Sequence, residues 1–105
     1  MTIVVNWTDP ALEDLDGVHE FIARDSQFYA NSFVQQIIDS VTRLEQFPLS
    51  GRIVPEAKQD HLREVIFQGY RTIYWIVDEQ RIDVLAVVHG SRDLTNPINQ
   101  PWETN

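Results

Sequence analysis

A chain of 105 residues is the size of one domain, and 43% apolar with 23% charged residues is typical of a folded protein, which excludes disordered and membrane classes. Its formal net charge is −8 and it holds a single lysine, so we expect no surface that binds nucleic-acid phosphates on its own. The lack of cysteine excludes disulfides and thiolate metal sites, and the longest apolar runs are too short to cross a bilayer.

The N-terminal part of the chain predicts a strand followed by a helical hairpin. The opening segment TIVVNW is short and β-branched, and it has neither the basic residue nor the apolar run of a signal peptide, so we expect a cytoplasmic protein. Asp9 is the expected cap of the first helix and Pro10 suits its first turn. Apolar residues recur at helical spacing up to Ile22. Ser26 then predicts the cap of a second helix over residues 28–46.

From residue 62 onward the apolar pattern has a period of two, which predicts strands. We place them at residues 62–67, 70–77 and 81–89, joined by QG and DEQ turns as an antiparallel meander. The predicted fold class is therefore α+β: strand, helix, helix and three strands, with the helical hairpin packed on one face of a small antiparallel sheet. We assign residues 1–94 to the domain and 95–105 to a tail that is loose or held only by the Trp102 ring.

Both alternating rows of the last two strands are largely apolar, and this pattern needs an explanation. Burying a charge costs far more than burying a methylene group, so the rows that hold Arg71 and Asp83 should face away from the helices. A three-residue turn at 78–80 would put both rows on one face. The predicted open face holds Ile73, Trp75, Leu85 and Val87, with His89 at its edge. An apolar patch of this width indicates a partner site, unless the tail covers it through Trp102.

One cluster of residues could carry chemistry. The three histidines, at positions 19, 61 and 89, lack metal-ligand spacing, so we expect no metal and no other cofactor. Arg71 and His89, together with Arg63 or Glu64, could perform acid and base chemistry on a phosphodiester. Because one charge lies in each row of LREVIF, the pattern leaves open which of Arg63 and Glu64 faces outward. The structural alternative is an exposed salt bridge among Glu64, Arg71 and Asp83, which would add little stability.

Four segments within residues 3–94 together resemble one protein family. The segments NWTDPALEDLDGVHEFIARDS, FPLSGRIVPE, LREVIFQGYRTIYWIV and VLAVVHGSRDL resemble the RelE/ParE superfamily of bacterial toxins. The combination of P-x-x-G-R, Y-R-x-x-Y and H-G-S-R-D is more specific than any one motif. The resemblance implies a toxin of a type II toxin–antitoxin module, associated with plasmid stabilisation and growth arrest. It also implies a cognate antitoxin that neutralises the toxin in a hetero-oligomer.

The resemblance implies two possible activities. RelE-type members cleave messenger RNA on the ribosome and tend to be basic, whereas ParE-type members trap DNA gyrase on cleaved DNA. Arg71 matches the arginine of the Y-R-x-x-Y motif, and His89 matches the position where some ribonuclease members carry a catalytic histidine. Gly90 stands where such members carry an aromatic residue. Because a charge of −8 disfavours docking to ribosomal RNA, we expect a ParE-like gyrase inhibitor that is not an enzyme. The alternatives are a RelE-like endoribonuclease and a non-toxic protein that still binds its antitoxin.

This interpretation assigns candidate residues to each role, with no membrane contact and no direct binding of nucleic acid expected. The catalytic candidates, if the protein is a ribonuclease, are Arg63, Glu64, Arg71 and His89. The candidates for binding the target are Arg63, Arg71, His89 and Arg92. The candidates for binding the antitoxin are Ile73, Trp75, Leu85 and Val87.

Overall fold

The computed structural model describes residues 2–103, in which two helices pack on one face of a five-stranded sheet. The elements are β1 (Val4–Trp7), α1 (Asp9–Ala23), α2 (Gln27–Thr42), β2 (Arg52–Ile53), β3 (Leu62–Phe67), β4 (Tyr70–Ile76) and β5 (Arg81–His89). The strands lie in the order β1-β5-β4-β3-β2. The predicted α+β class is confirmed, and the predicted elements occur in the predicted order, with the two-residue strand β2 added before β3. The prediction of a purely antiparallel sheet is wrong: the sheet is mixed because β1 pairs parallel to β5, while the other neighbours are antiparallel.

The caps of the two helices explain where they begin. Thr8, not Asp9, caps α1: its Oγ1 accepts a hydrogen bond from the Ala11 N–H at 3.4 Å and donates to the Val84 carbonyl at 2.7 Å. Asp9 instead lies in the first turn, where a negative charge suits the helix dipole. Ser26 caps α2 as predicted, since its Oγ accepts from the Tyr29 N–H at 3.1 Å.

The second helix is shorter than the predicted span of residues 28–46. Regular α-helix stops at Thr42, and the chain tightens into a 3-10 turn at Arg43–Glu45 before the proline-containing segment that follows. No helical segment within residues 2–103 has the length and apolarity needed to cross a membrane.

Two tight turns set the register of the meander. Gln68 and Gly69 both have positive φ, at 42° and 88°, as a two-residue type I′ hairpin turn requires. The next turn spans residues 78–80, and the Val77 N–H donates to the Arg81 carbonyl across it at 3.0 Å. The predicted three-residue turn is therefore confirmed.

A β-bulge at Leu85 changes which face the end of β5 presents. Ile73 pairs with Ala86 but Tyr74 pairs with Val84, so Leu85 is an extra residue in β5. An extra residue reverses the alternation of side chains beyond it. Val87 therefore packs against the helices and is 4% exposed, so the prediction that it faces outward is wrong.

The sheet buries apolar side chains on both faces. On the helix side, two clusters join the helices to the sheet; their buried members are Ala11, Leu15, Val18, Phe33, Ile37, Val41, Leu44, Tyr74, Ile82, Val84 and Val87. A third cluster lies on the opposite face, hereafter the outer face; its buried members are Val54, Leu62, Ile73, Ala86, Val88 and Leu94. Ala86 and Val88 belong to the row that alternates with Asp83, which would face the helices in a regular strand. They lie on the outer face because of the bulge.

The C-terminal tail covers part of the outer face. It forms 3-10 turns at Pro97–Asn99 and Pro101–Glu103, and Trp102 packs against the outer cluster. Gln100 Nε2 also donates to the Leu94 carbonyl at 2.7 Å. The part of the tail that ends at Glu103 is thus held in place by Trp102. Thr104 and Asn105 lie outside the described residues.

Candidate functional site

The structure divides the predicted site residues between the two faces of the sheet. The register of β3 with β4 pairs Glu64 with Ile73, so Glu64 faces outward and Arg63 faces the helix side. The bulge sends His89 to the helix side as well, opposite Tyr70. The outer face therefore holds Glu64, Arg71, Ile73, Trp75 and Leu85, and the helix side holds Arg63, Val87 and His89.

An ion network of Arg52, Glu56, Glu64 and Arg71 lies on the outer face beside the apolar cluster. Arg71 Nε donates to Glu64 Oε1 at 2.6 Å, and its Nη1 and Nη2 donate to the two Glu56 oxygens at 3.0 and 2.7 Å. Arg52 Nε donates to Glu64 Oε2 at 2.6 Å. The Glu64 side chain is fully buried and that of Arg71 is 8% exposed. Two carboxylates thus balance two guanidiniums, which makes these buried charges tolerable.

The network favours the charged forms of Glu56 and Arg71 and leaves Arg71 little freedom. The hydrogen bonds from Arg71 lower the pKa of the Glu56 carboxyl below its ordinary value. The bonds to Glu56 and Glu64 in turn raise the pKa of Arg71, outweighing the effect of burial. A phosphate that approached Arg71 in bidentate fashion would first have to displace Glu56. The predicted bridge between Glu64 and Arg71 is present, but Asp83 pairs with Arg81 instead.

His89 lies at the exposed end of β5, away from this network. Its ring meets the Tyr70 ring edge-on, with the centroids 5.3 Å apart. His89 Nδ1 accepts a hydrogen bond from the Ser91 N–H at 3.1 Å and lies 2.7 Å from Ser91 Oγ. Because a backbone N–H only donates, Nδ1 is the acceptor in this contact, which leaves Nε2 as the ring nitrogen that can donate.

The backbone beside His89 explains the glycine at position 90. The Gly90 N–H donates to the Gly69 carbonyl at 2.7 Å, and a Cβ at Gly90 would lie 3.1 Å from that oxygen. A larger side chain would therefore require the turn between β3 and β4 to shift.

Arg63 and Arg92 occupy different surroundings. Arg63 donates to the carbonyls of Leu49, Gly51 and Asp60 at 3.0 to 3.3 Å, so it stabilises the segment before β2. Arg92 is exposed in the turn after β5. The Asp14 carboxyl accepts a hydrogen bond from the Val87 N–H. Burial raises the pKa of this carboxyl above its ordinary value, although the hydrogen bond and the charge of Arg92 both lower it.

The antitoxin-binding candidates are only partly accessible. Ile73 is fully buried beneath the segments that cover the outer face, and Val87 belongs to the helix-side core. Trp75 and Leu85 are half-buried at the margin of the outer cluster. The expected open face is therefore largely closed, and a role of Trp75 and Leu85 in binding stays a prediction.

The contact between the P-x-x-G-R and Y-R-x-x-Y motifs was not predicted from the sequence. The Gly51 N–H donates to Tyr74 Oη at 3.1 Å, and Tyr74 Oη donates to the Pro48 carbonyl at 2.8 Å. A Cβ at Gly51 would lie 2.5 Å from Tyr74 Oη, so only glycine allows this approach. Thus P-x-x-G-R contacts Y-R-x-x-Y directly through Gly51 and Pro48, which both bond Tyr74. Arg52 is connected to Arg71 only through Glu64, which accepts from both.

Within residues 2–103, no group of three or more His, Asp and Glu side chains is arranged to hold a metal ion.

Comparisons with known proteins identify the family. A sequence model described as the ParE toxin of the type II toxin–antitoxin system parDE matches residues 5–94. A search of curated proteins finds no match.

Three solved structures share the fold. A chromosomal ParDE toxin–antitoxin system from P. aeruginosa matches with a TM-score of 0.69 and 21% identity, over 84% of this chain and 96% of that chain. The toxin–antitoxin complex RelBE2 from Mycobacterium tuberculosis gives 0.61 and 20%, over 85% and 99%. A free double mutant of E. coli toxin RelE gives 0.65 and 12%, over 97% and 92%. These identities support the fold alone, but the family match spans most of the chain. The chain therefore belongs to the ParE toxin family of type II toxin–antitoxin systems.

Proposed function

We propose that this toxin arrests growth in the cytoplasm by binding DNA gyrase, without a catalytic centre of its own. The observation that carries the proposal is the separation of the ribonuclease candidates. Arg71 and Glu64 are bound to each other on the outer face, while Arg63 and His89 lie on the helix side. On that side Arg63 lies opposite Tyr74 and His89 opposite Tyr70, four positions apart along β4, and Arg63 already donates to three backbone carbonyls. A general base and a free guanidinium must reach the same phosphodiester, and this arrangement does not bring them together.

The charge of the molecule supports the same proposal. A net charge of −8 opposes docking to ribosomal RNA, because association with a polyanion depends on cationic contacts. Binding to a protein target does not carry this requirement. The exposed candidates for that contact are His89 and Arg92 at one end of β5.

The proposed partner that neutralises the toxin is a cognate antitoxin. The matching family is that of parDE, and two of the similar structures are toxin–antitoxin assemblies by name. Trp75 and Leu85 are the candidates that keep accessible surface, so they are the members of the predicted set to substitute first.

The test combines two reactions with the full-length chain. Purified gyrase, supercoiled plasmid and the protein are incubated and analysed for linear DNA, while an in vitro translation reaction is analysed for cut messenger RNA. We expect linear DNA and intact message. Cut message with normal supercoiling would overturn the proposal in favour of a ribonuclease, and neither product would indicate a protein that has lost its toxicity.

Matched variants locate the contact surface. His89→Ala and Arg92→Ala change exposed side chains at one end of β5, and Arg81→Ala changes an exposed side chain at its other end. We expect the first two to reduce gyrase-dependent DNA cleavage and the third to leave it unchanged. Equal loss in all three would place the contact elsewhere.

A further inference from the structure

A cleft of about 450 Å³ lies between the start of α1, the end of β5 and the C-terminal tail. Its volume is in the range of sites that bind small molecules. The tail supplies one wall through Ile98, Asn99 and Gln100, and these residues lie beyond the family match, which ends at Leu94. The cleft is therefore a feature of this chain and not of the matched segment alone.

Two side-chain amides hold the tail wall in place. Asn99 Nδ2 donates to the Asp93 carbonyl at 2.9 Å. Gln100 Nε2 donates to the Leu94 carbonyl at 2.7 Å. A wall that is ordered before a ligand arrives lowers the ordering cost of binding.

Two side chains of opposite charge line the cleft. Asp14 on α1 and Arg92 after β5 form no ion pair, either with each other or with another of residues 2–103. Asp14 Oδ2 accepts a hydrogen bond from the Val87 N–H at 3.0 Å, and Oδ1 has no hydrogen-bond partner in the described part of the chain. Since no fully buried side-chain oxygen there lacks a partner, Oδ1 must keep accessible surface. The cleft thus offers one carboxylate oxygen and one guanidinium to a ligand.

The surroundings of Asp14 favour a cation. Burial raises the pKa of this carboxyl above its ordinary value, although the Val87 N–H and the charge of Arg92 lower it. A half-buried carboxylate is stabilised in its charged form by a cation that approaches its unbonded oxygen. An ammonium group beside Asp14 would therefore offset part of the cost of burying the charge.

The rest of the lining favours an apolar body between the two charges. Leu85, Ala86 and Val88 on β5 and Ile98 on the tail line the cleft. Ile98 is 88% exposed, so a ligand that covers it would remove apolar surface from water.

We propose that this cleft binds a free amino acid with an apolar side chain. Its ammonium group would lie beside Asp14, its carboxylate beside Arg92 and its side chain against Ile98. The net charge of −8 and Asp14 disfavour a simple anion, and Arg92 disfavours a simple cation, whereas a zwitterion complements both groups. The proposal does not rest on gyrase as the target.

The probe is radiolabelled L-leucine, measured by equilibrium dialysis against the full-length chain. Two competitors each lack one charged group: isocaproate has no ammonium group, and isoamylamine has no carboxylate. We expect saturable binding of L-leucine, with either analogue competing roughly tenfold or more weakly than unlabelled L-leucine. The absence of saturable binding up to about 10 mM, or equal competition by all three compounds, would overturn the proposal.

Matched variants test which group each residue binds. In Asp14→Asn the amide oxygen can still accept the Val87 N–H, so we expect a folded protein on which isocaproate competes as well as L-leucine. Arg92→Met should likewise remove the preference for L-leucine over isoamylamine. Asp16→Asn and Arg24→Met make the same changes at exposed positions outside the cleft and should leave both preferences unaltered. A retained preference in Asp14→Asn or Arg92→Met would contradict the assignment of the cleft.

A side chain of a partner protein is the competing occupant. N-acetyl-L-leucinamide reproduces a leucine within a polypeptide and carries neither charge. We expect this compound to compete roughly tenfold or more weakly than L-leucine. Competition as strong as that of L-leucine would overturn the proposal and indicate that the cleft receives a protein side chain.

Discussion

Arg71 carries a full charge at a position that is 7% exposed, and its neighbours explain how. Glu64 on β3 and Glu56 in the segment after β2 both accept hydrogen bonds from its guanidinium. Removing one member of such a buried pair leaves the other uncompensated, which costs more than the pair contributes as a whole. The residue is therefore structural in this fold, whatever further role it has.

We expect Arg71→Met to lower the free energy of unfolding by about 3 kcal/mol, because buried Glu64 would keep only Arg52 as a partner. Urea unfolding followed by Trp fluorescence measures the effect. Arg81→Met is the control, since it removes an exposed partner of Asp83 and should cost less than about 1 kcal/mol. Equal losses in both variants would show that the network contributes no more than a surface pair.

Glu56 connects the same network to pH. Arg71 lowers the pKa of this carboxyl from its ordinary value of 4.5, so the folded state binds its proton less tightly than the unfolded state. The resulting stabilisation is complete above the ordinary value and is lost as the pH falls through the lowered one. We expect the free energy of unfolding to decrease on acidification below pH 4.5 and Glu56→Gln to make this decrease smaller.

A double substitution checks that cause. Arg71 is the main reason for the low pKa of Glu56, so Glu56→Gln should no longer alter the acid dependence once Arg71→Met is present. The measurement is urea unfolding at several pH values. The same effect of Glu56→Gln in both backgrounds would contradict the assigned cause.

At the scale of elements, the tail extends the domain beyond the family match. The match ends at Leu94, yet Trp102 packs against the outer cluster and Gln100 bonds back to Leu94. The tail therefore acts as a cover for apolar side chains that the helices leave on the other face. Leu85, at the bulge, contacts the same cluster.

Ending the chain at Leu94 should lower the free energy of unfolding by roughly 2 kcal/mol, because the apolar surface beneath Trp102 would meet water. Urea unfolding gives the value, and a rise in fluorescence of a dye that binds apolar surface reports the exposure. Trp102→Ala should reproduce most of the loss. Unchanged stability in both variants would mean that the tail does not cover this face in solution.

At the scale of the whole molecule, the charge of −8 determines which partners are favoured. Non-specific binding to DNA depends on Lys and Arg side chains that displace counterions from the phosphates. Beside β3 the protein brings together only a few such side chains, among them Arg43 and Arg52. Non-specific binding of this protein to DNA is therefore disfavoured.

We expect no mobility shift of duplex DNA by the protein alone up to about 10 μM at physiological salt, because non-specific DNA affinity comes from cationic contacts. Electrophoresis of a labelled duplex with increasing protein measures this, and the same duplex with gyrase provides the positive control. A salt-sensitive shift without gyrase would show direct binding to phosphates and would favour a nucleic-acid target.

Much of the fold follows from local signals in the sequence. Helical spacing and the Ser26 cap predict the hairpin, and period-two alternation places β3 and β5 at their observed bounds. The three-residue turn at 78–80 likewise follows from the alternating apolar patterns of the two strands that it joins. The motifs identify the family over nearly the full length of the match. The helix, strand and turn signals each operate within one element or across one turn, and the motifs are read directly from the residues, so the sequence alone determines them.

Only the tertiary structure decided which side chains share a face. The bulge at Leu85 reverses Val87 and His89, and no residue in β5 signals it locally. The two-residue strand β2, the parallel pairing of β1 with β5, and the bond between Glu56 and Arg71 join segments distant in sequence. The physical reason is that side-chain alternation repeats within a strand, whereas register is set by the packing of all neighbouring elements together.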